Sequence, residues 1–529
     1  MRNQMLLVLS LCLASGAFGA PCAQARGDLS RVKHIIIVMQ EDHSFDNYFG
    51  VLPYAVGTPY ESGPCAPYHH ACVDGLSCER DVATGVYHCR NFNRDEDHMK
   101  VFAFHSTDYC VQTGLNKTWV ATHQEINFAH PNAGRRVSPN NGFVRVNGDP
   151  KTMSFYNEDD LGFYYDLAKT FAISDRHFSS VLGPTFPNRA YLVAGTSFGH
   201  LTTDEFLPTR EQPTAFYQPI TGTIFDLLDQ YGVAWTYYFS DVPLGAAAFR
   251  PFLTEIFTHP QHFRLFKKPA PLEYAPEVQL ALNTLVTSFV EDAAAGTLPP
   301  VVFVNAATGG FPSVLWNNEH PGSNIRAGQS FVAQVVEAVR HSPHWSDSII
   351  FITHDEHGGF YDHVAPPAAP QGGARTPDGI EPGQCADASN PPVSEEPGGG
   401  LNCTESQRIE AEFCPGFSAT GPFPARCATF NQLGVRVPLI AVSPFAKPHY
   451  VSHRVSDHTS ILALIEHRFL RSSPGAEDDA SPTPHLTARD AHASTLEDLF
   501  DFDTSPSLTA QVNPALAIPA SPSDPGCGP

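Results

Sequence analysis

Five short apolar runs constrain the fold of this chain more than any other feature. They cover residues 34–39, 233–238, 301–304, 348–353 and 437–443. Each run is rich in β-branched residues and nearly continuous in apolar character, which is typical of strands buried on both faces of a parallel sheet. Helical patterns lie between and after them, at residues 223–231, 277–295, 328–341 and 460–470. This alternation predicts an α/β fold, a three-layer α/β/α sandwich around a mostly parallel sheet.

The composition supports a large packed core and limits the choice of partners. Hydrophobic residues make up 42% of the 529 positions and charged residues only 16%, so disorder is not the default. The 32 basic and 55 acidic residues give a net charge of −23, which repels polyanions and argues against nucleic acid. Small phosphate esters stay possible because a bound cation reverses the charge locally. Nothing in the sequence indicates an obligate protein partner.

The first 25 residues have the pattern of a secretory signal peptide. Arg2 gives a positive start, residues 6–14 form a short apolar run, and residues 23–25 read Ala-Gln-Ala, a small-x-small cleavage site. This pattern predicts a secreted or periplasmic protein. No other stretch is long and apolar enough to span a bilayer, so at most peripheral membrane contact is expected.

The number and clustering of the cysteines are consistent with export. Cleavage after Ala25 would leave ten of the 12 cysteines, an even number. Five lie in residues 54–112 and four in residues 366–430, two segments that read as loop insertions stapled by disulfides. A zinc site using Cys72 and Cys78 with a nearby histidine is the alternative, although its spacing matches no familiar zinc pattern. We therefore expect one catalytic domain over residues 26–472, followed by an extended or loosely packed arm over residues 473–529.

Adjacent acids follow two of the predicted strands where each strand ends. Glu41 and Asp42 come after the first run. Asp355 and Glu356 come after the fourth. Ligands of open parallel sheets bind outside the carboxyl ends of the strands, so these four carboxylates converge if both strands are central. Four such groups repel one another unless a cation neutralises them, and an all-oxygen ligand set favours Ca²⁺, Mg²⁺ or Mn²⁺, with Zn²⁺ as an alternative. Solvent-facing or helix-capping acids are the other interpretation.

The segment Gly-Pro-Thr-Phe-Pro-Asn-Arg at residues 183–189 offers a nucleophile. Pro187 suits the first turn of a helix, which places Thr185 beside a helix N-terminus, where backbone N–H groups favour anions. Near a metal ion the hydroxyl of Thr185 can lose its proton and attack phosphorus, and Arg189 can pair with phosphate oxygens. The alternative is that Thr185 is an ordinary N-cap.

Histidines near the predicted strand ends offer proton donors. The candidates are His320 after the third run, His354, His357 and His363 around the second acid pair, and His453 and His458 after the fifth run. A histidine beside a phosphate can donate a hydrogen bond or protonate a leaving oxygen. Because the chain contains 25 histidines, each one taken alone is better explained as a surface or structural residue.

Four ordered motifs resemble the bacterial phosphoesterase family of phosphatidylcholine-hydrolysing phospholipases C and related acid phosphatases. They are VKHIIIVMQEDHSFDNYFG at 32–50, GPTFPNR with AGTS at 183–189 and 194–197, DEHGGFYDH at 355–363, and VPLI with DHTS at 437–440 and 457–460. Four motifs in order over roughly residues 30–470 are far more specific than one short pattern. The resemblance implies an alkaline-phosphatase-like fold and a phosphoenzyme mechanism.

The resemblance also implies roles for individual residues. It makes Thr185 the nucleophile and His320, by its Glu-His-Pro setting, a catalytic histidine that contacts phosphate. The implied ligands of one divalent metal ion are Glu41, Asp42, Asp355, Glu356 and Thr185. The implied substrate-binding residues are Asn188, Arg189, Lys117 and His363.

Two positions depart from the family pattern. The family usually has asparagine where Asp42 stands, so this chain carries an extra negative charge that should hold a cation more tightly. The family commonly has histidine before the tryptophan where Lys117 stands, and a lysine is a poor proton donor near neutral pH.

These features lead to one main hypothesis and two alternatives. The main hypothesis is a secreted, metal-dependent phosphoesterase of phospholipase C type that hydrolyses phospholipid phosphodiesters through a phosphothreonine intermediate. The alternatives are an acid phosphatase acting on soluble phosphomonoesters, and an inactive relative that binds phosphate or a head group. Larger phospholipases of the family carry additional C-terminal β domains, for which the roughly sixty residues after the closing motif leave little room.

Overall fold

The computed structural model describes most of the chain. The described residues are 29–111, 114–127, 140–206, 220–243, 245–246, 249–250, 252–268, 276–284, 287–308, 316–370, 380–384, 404–418, 423–424, 427–470 and 483–527. The predicted signal peptide, Cys385 and Cys403 lie outside them.

An eight-stranded sheet forms the centre of the described structure. Its strands, in chain order, are β1 (His34–Gln40), β2 (Ala172–Ser174), β3 (Trp235–Phe239), β4 (Phe263–Leu265), β5 (Val301–Asn305), β6 (Ser348–His354), β7 (Leu439–Val442) and β8 (Val451–Ser452). Their order across the sheet is β4-β3-β5-β1-β6-β7-β2-β8. Of these strands, only β7 runs antiparallel to its neighbours, so the predicted mostly parallel sheet is confirmed.

All five predicted strands are present, and three short ones are additional. The additional strands β2, β4 and β8 have only two or three residues each, too few to show a period in the sequence. β1 lies between β5 and β6, where Ile36 pairs with both Val302 and Ile350. All seven residues of β1 are buried, as a strand covered on both faces requires.

The reversed strand β7 decides where the closing motif lies. Because β7 is antiparallel to β6, the chain leaves β7 at the edge opposite the carboxyl ends of the other strands. β8 runs parallel to β2 and returns the chain, so Asp457 and His458 come back to the carboxyl edge. The sequence alone suggests that they follow the fifth strand directly.

Two groups of helices pack against the sheet. The helices are α1 (Phe45–Phe49), α2 (Trp119–Glu125), α3 (Phe143–Asn147), α4 (Gly162–Thr170), α5 (Thr185–Ala194), α6 (Ile224–Gln230), α7 (Phe252–Thr258), α8 (Pro276–Thr284), α9 (Phe289–Ala295), α10 (Ile325–Arg340), α11 (Thr404–Phe413), α12 (His458–Phe469) and α13 (Ala488–Ala491). α10 contacts α4 and α9, whereas α5 contacts α6 and α12. With the fully buried central strands, these two groups give the predicted α/β/α layers.

The segment predicted as one helix over residues 277–295 contains two helices, α8 and α9. Ser288 caps the second one, and the Glu291 side chain bonds back to the backbone N–H of Ser288 in a capping box. Such a box marks a helix start, which the apolar spacing alone does not reveal.

Disulfides staple the insertions, as the cysteine count predicts. The described bridges are Cys65–Cys72, Cys78–Cys89, Cys110–Cys527 and Cys414–Cys427. The first two exclude the alternative zinc site, because the sulfurs of Cys72 and Cys78 are already paired. Short strand pairs shape the first insertion: Glu61–Ser62 with Cys72–Val73, Cys78–Arg80 with Tyr87–Cys89, and Phe92–Arg94 with Lys100–Phe102. Two more small pairs join Phe104–His105 to Ser154–Phe155, and His177–Phe178 to Ser456–Asp457.

The C-terminal arm is irregular over its described part, residues 483–527. The guanidinium of Arg489 is buried and donates to the carbonyl oxygens of Phe430 and Ser180 and to the carboxylate of Asp457. Most residues from 503 to 526 are exposed or half-buried. Cys527 is bonded to Cys110 of the first insertion. None of the helices in the described residues is long and apolar enough to cross a bilayer.

Candidate active site

Two pairs of carboxylates lie side by side at the carboxyl edge of the sheet. Glu41 and Asp42 follow β1, Asp355 and Glu356 follow β6, and these two strands are neighbours in register up to their last residues. The backbone N–H of Asp42 donates to Asp355 Oδ1 at 3.2 Å. All four side chains are buried. We call these four residues the acid centre.

Two cationic side chains bridge the acid centre. The guanidinium of Arg189 donates to Glu41 Oε1 at 3.0 Å and to Asp355 Oδ2 at 3.2 Å, so it joins one acid of each pair. The ammonium of Lys117 contacts Asp42 Oδ2 and lies 3.2 Å from Glu356 Oε1, so it joins the other two. When all four acids are ionised, two negative charges remain in excess of these two cations.

Burial and charge set the protonation of the centre. Burial raises the pKa of Glu41, because Arg189 offsets only part of the desolvation cost. Burial also raises the pKa of Glu356, and the nearby Asp42 adds to this shift. Burial acts on Asp42 in the same direction, but the charges of Lys117 and His320 and the hydrogen bonds to Asp42 together outweigh it and hold the pKa of Asp42 well below its usual range. The centre therefore lacks enough positive charge to keep all its acids ionised.

The donor set suits a hard divalent cation. Among the described residues, none donates a hydrogen bond to the buried Asp42 Oδ1. Ligand atoms of Glu41, Asp42 and His320 all lie within 4.8 Å of one another. Two carboxylates and an imidazole at this spacing, with an excess negative charge and an unpartnered oxygen, are a ligand set that can hold a divalent cation.

Thr185 begins α5, the helix whose Arg189 contacts the acid centre. The cap residue is Pro184, in an extended conformation, so Thr185 is the first helical residue and not the N-cap of the alternative interpretation. Thr185 is buried, and Arg189 lies four residues further on. Residues four apart share one face of a helix, so the contacts of Arg189 with the acids turn the face of Thr185 toward the same region.

Asn188 shapes the turn in front of Thr185. Its amide nitrogen donates to the carbonyl oxygens of Gly183 at 2.8 Å and Pro184 at 3.1 Å. Its amide oxygen accepts from the backbone N–H of Val181 at 3.0 Å. Asn188 is fully buried, and these bonds hold the loop that presents Thr185.

His320 reaches the acid centre from the solvent side. Its Nε2 lies 3.3 Å from Asp42 Oδ2 and its Nδ1 lies 2.7 Å from the carbonyl oxygen of Pro321. Each ring nitrogen of His320 therefore lies close to an oxygen atom. About a third of the His320 side chain is exposed, at 35%.

Sequence reasoning missed the most connected residue of the site, Glu319. Its side chain is fully buried, and one carboxylate oxygen accepts from Tyr48 Oη and His354 Nε2, both at 2.9 Å. The other oxygen accepts from Tyr164 Oη at 2.6 Å and from Gln40 Nε2 at 3.4 Å. The only sequence signal was its place directly before His320, and that motif drew attention to the histidine.

The position of Glu319 gives it a hub role in the site. Gln40 directly precedes Glu41, and His354 directly precedes Asp355, so one carboxylate ties together the strand ends that carry both acid pairs. Burial opposes its ionisation, but the contacts with His354, His43 and Tyr164 together outweigh burial and lower the pKa of Glu319.

His363 belongs to a second buried network. Its Nδ1 lies 2.7 Å from Asp46 Oδ2 and its Nε2 lies 3.2 Å from Asp74 Oδ1. Arg436 binds the other oxygen of Asp46 at 2.9 Å and Asp362 at 3.1 Å. Burial opposes protonation, but Asp46 and Asp74 together outweigh it and raise the pKa of His363 to about 10.

The structure thus sorts the residues that the sequence singled out. Direct contacts connect Glu41, Asp42, Asp355, Glu356, Lys117, Arg189 and His320. The bonds described for Asn188 go to the turn before Thr185, and those of His363 go to the second network. Of the other histidines, His458 donates to the backbone oxygen of Asp355, His357 pairs with Glu125, and His453 pairs with Asp175.

The α/β/α layers and the buried acids at the carboxyl ends of the strands suit an enzyme site. A comparison with family models is more specific: residues 32–470 match the model described as the Phosphoesterase family. The chain therefore belongs to the Phosphoesterase family. Non-specific phospholipase C6 of Arabidopsis thaliana is 27% identical over 491 residues, which cover 90% of this chain and 74% of that protein. Phospholipase C B of Mycobacterium tuberculosis (strain ATCC 25618 / H37Rv) is 28% identical over 513 residues, covering 93% and 81%.

Solved structures show more distant similarity. Murine ectonucleotide pyrophosphatase/phosphodiesterase 5 has a TM-score of 0.31 at 10% identity, covering 64% of this chain and 95% of that chain. A protein in the alkaline phosphatase superfamily from Vibrio parahaemolyticus has a TM-score of 0.26 at 10% identity, covering 58% and 62%. The family assignment rests on the match to the family model.

Proposed function

We propose that this protein hydrolyses phospholipid phosphodiesters in the manner of a phospholipase C, with Thr185 as the nucleophile. The observation that carries the proposal is the contact of Glu41 and Asp355, one acid of each pair, with Arg189 of α5, the helix that Thr185 begins. The names of the relatives, which are phospholipases C, support a diester substrate over a monoester.

The acid centre is proposed to hold one divalent cation. Glu41, Asp42, Asp355 and Glu356 would supply carboxylate oxygens, and Thr185 its hydroxyl oxygen, to Ca²⁺, Mg²⁺, Mn²⁺ or Zn²⁺. The excess negative charge of the centre and the unpartnered Asp42 Oδ1 support this. A cation bound there would make an alcohol more acidic and balance charge that develops on phosphoryl oxygens.

The chain's own groups then carry the reaction. Thr185 passes its hydroxyl proton to solvent water, and its oxygen forms a bond to phosphorus as the bond to the diacylglycerol oxygen breaks. The leaving oxygen takes a proton from His320, whose Nε2 lies 3.3 Å from Asp42 Oδ2. Water then attacks the phosphothreonine and returns a proton to His320, and phosphocholine or a similar head-group phosphate leaves while the oxygen of Thr185 takes a proton from solvent.

Arg189 and Lys117 are proposed to organise the acids. Their cationic groups are engaged with carboxylates in the structure, which supports a role in holding the acid centre together over one in grasping substrate. Lys117 also balances the extra carboxylate of Asp42, so the two departures from the family pattern compensate each other in charge. Asn188 is proposed to hold the turn that presents Thr185. His363 is proposed to hold the adjoining loop through its contact with Asp46.

We also propose that the protein is exported from the cytoplasm. Four described disulfides suit an oxidising compartment, and the signal-peptide pattern of residues 1–25 supports passage to the periplasm or the medium.

The mechanism is tested by trapping the intermediate. Wild-type protein quenched with acid during turnover of phosphatidylcholine should carry phosphate on the peptide containing Thr185, as seen by mass spectrometry. Thr185→Ala should lose turnover by at least about 10³-fold, since it removes the nucleophile, whereas Thr203→Ala is a control on a nearby threonine. Normal turnover by Thr185→Ala would exclude the mechanism.

The substrate class is tested by parallel assays on phosphatidylcholine and on a chromogenic phosphomonoester. A clear preference for the diester is expected. A strong preference for the monoester would instead identify an acid phosphatase, and turnover of neither would identify an inactive binding relative.

A further inference from the structure

Exposed apolar side chains concentrate in the first disulfide-stapled insertion. Seventeen large hydrophobic residues are exposed in the described part of the chain, and eight of them lie between residues 56 and 104. These eight are Val56, Tyr68, Val82, Val86, Phe92, Met99, Phe102 and Phe104. Isolated exposed apolar residues are ordinary, but a local concentration marks an interaction surface.

Three phenylalanines gather on one face of a hairpin. The strand Phe92–Arg94 pairs antiparallel with Lys100–Phe102, so that Phe92 lies opposite Phe102 and Arg94 opposite Lys100. The rings of Phe92 and Phe102 are 5.6 Å apart, with exposed fractions of 36% and 46%. Phe104 continues this face with an exposed fraction of 37%. We call Phe92, Arg94, Lys100, Phe102 and Phe104 the aromatic hairpin face.

The charges on this face are arranged unusually. Lys100 Nζ lies 4.2 Å from the centre of the Phe92 ring, and Arg94 Cζ lies 5.6 Å from it. Arg94 and Lys100 lie opposite one another, and like charges in that position destabilise a strand pair. Within the described residues, neither of these two cations forms an ion pair with an acid. The turn that joins the strands carries acids instead, at residues 95–97. The surface therefore presents cations beside the rings and carboxylates at the turn.

The other side of the hairpin is fixed to the active-site loops. Asn93 is buried, and its amide donates to the backbone oxygen of Asn140, whose own amide donates to that of Asp362. Ala103 packs in a buried cluster that also contains Tyr361 and Leu182, next to the second acid motif and the nucleophile turn. The hairpin is thus rigidly attached to the loops that surround the acid centre.

We propose that the aromatic hairpin face docks the protein onto a zwitterionic phospholipid surface, an inference that rests on the proposed phospholipase function. Aromatic rings favour the membrane interface. The two cations match head-group phosphates, and the turn carboxylates match choline ammonium groups. With a net charge of −23, the chain is repelled by an anionic surface, so the partner is a phosphatidylcholine-rich bilayer.

Vesicle sedimentation tests the docking without requiring turnover. With a chelator present, the wild-type protein should sediment with phosphatidylcholine vesicles and less with vesicles that contain phosphatidylglycerol. The double variant Phe92→Ser/Phe102→Ser should lose at least about tenfold in partition, because two partly exposed rings no longer enter the interface. Leu508→Ser, which changes an exposed residue of the C-terminal arm, should bind as the wild type does. Circular dichroism checks that each variant is folded.

Kinetic assays separate docking from catalysis. The double variant should hydrolyse vesicles more slowly but keep the wild-type rate on a monomeric short-chain phosphatidylcholine. If the wild type binds vesicles yet hydrolyses no phosphatidylcholine, the proposed function fails while the docking proposal stands. Equal vesicle binding by the double variant, tighter binding to anionic vesicles, or a dimer that the double variant abolishes in sedimentation velocity would each overturn the docking proposal.

Discussion

Charge balance in the acid centre depends on single residues. Lys117 joins Asp42 and Glu356, and Arg189 joins Glu41 and Asp355. A buried charge that loses its partner keeps its full desolvation cost. Replacing only one member of such a pair should therefore destabilise the protein.

Lys117→Gln should therefore destabilise the metal-free protein by about 3 kcal/mol, because it leaves two buried carboxylates without their cation. The double variant Asp42→Asn/Lys117→Gln should recover a large part of this loss, since it also removes one acid. Urea unfolding in the presence of a chelator measures both. Equal stability of the two variants would mean that the Lys117–Asp42 pair is not what balances the centre.

Glu319→Gln should weaken divalent-cation binding by about 10- to 100-fold, because the hub that joins Gln40 and His354 loses its charge. The side-chain volume is nearly unchanged, so circular dichroism should show a folded protein. Isothermal titration with the metal alone measures the affinity. Asp292→Asn is the matched control, since this buried acid pairs with Tyr238 and Arg264. Unchanged affinity in Glu319→Gln would show that the hub does not position the ligands.

Secondary-structure elements bring these residues together in a way that depends on close packing. Gly328 in α10 lies against Glu319, and a Cβ built on Gly328 would be 2.1 Å from Glu319 Cγ. Glu319 itself has a left-handed backbone conformation, with φ of 72°. A helix interior normally gains about 1 kcal/mol from Gly→Ala, so a loss here reports the packing against the site.

Gly328→Ala should thus lower the free energy of unfolding by about 2 kcal/mol and reduce turnover together with metal affinity, because the hub must move. Gln334→Ala, at an exposed position of the same helix, should be neutral or slightly stabilising. Chemical denaturation and metal titration of both variants provide the comparison. A stabilised, fully active Gly328→Ala would contradict this view of the interface.

The whole molecule is held together by buried ion pairs that cross from the insertion to the sheet. Asp74 of the first insertion, Asp46 of α1 and Arg436 before β7 meet around His363. The pKa of His363 rises from 6.5 to about 10, so its charge contributes stability fully below pH 6.5 and loses it as pH rises through about 10.

His363→Gln should therefore lower the free energy of unfolding by about 2 kcal/mol near pH 6 and by much less above pH 10. This figure allows for the partial exposure of His363 and for the ion pair between Arg436 and Asp46 that remains in the variant. Urea unfolding at the two pH values, with His341→Gln as an exposed control, measures the difference. A pH-independent loss would mean that the ring packs there without a charge role.

The sequence by itself determined the layers, the central strands and the two acid pairs, because buried strands and strand-end acids leave local patterns in apolar spacing. The tertiary structure alone decided what depends on distant partners: the short strands β2, β4 and β8, the reversed β7, the hub at Glu319, and the engagement of Arg189 and Lys117 with carboxylates. A two-residue strand or a buried hydrogen bond takes its energy from neighbours far along the chain, so no local pattern records it.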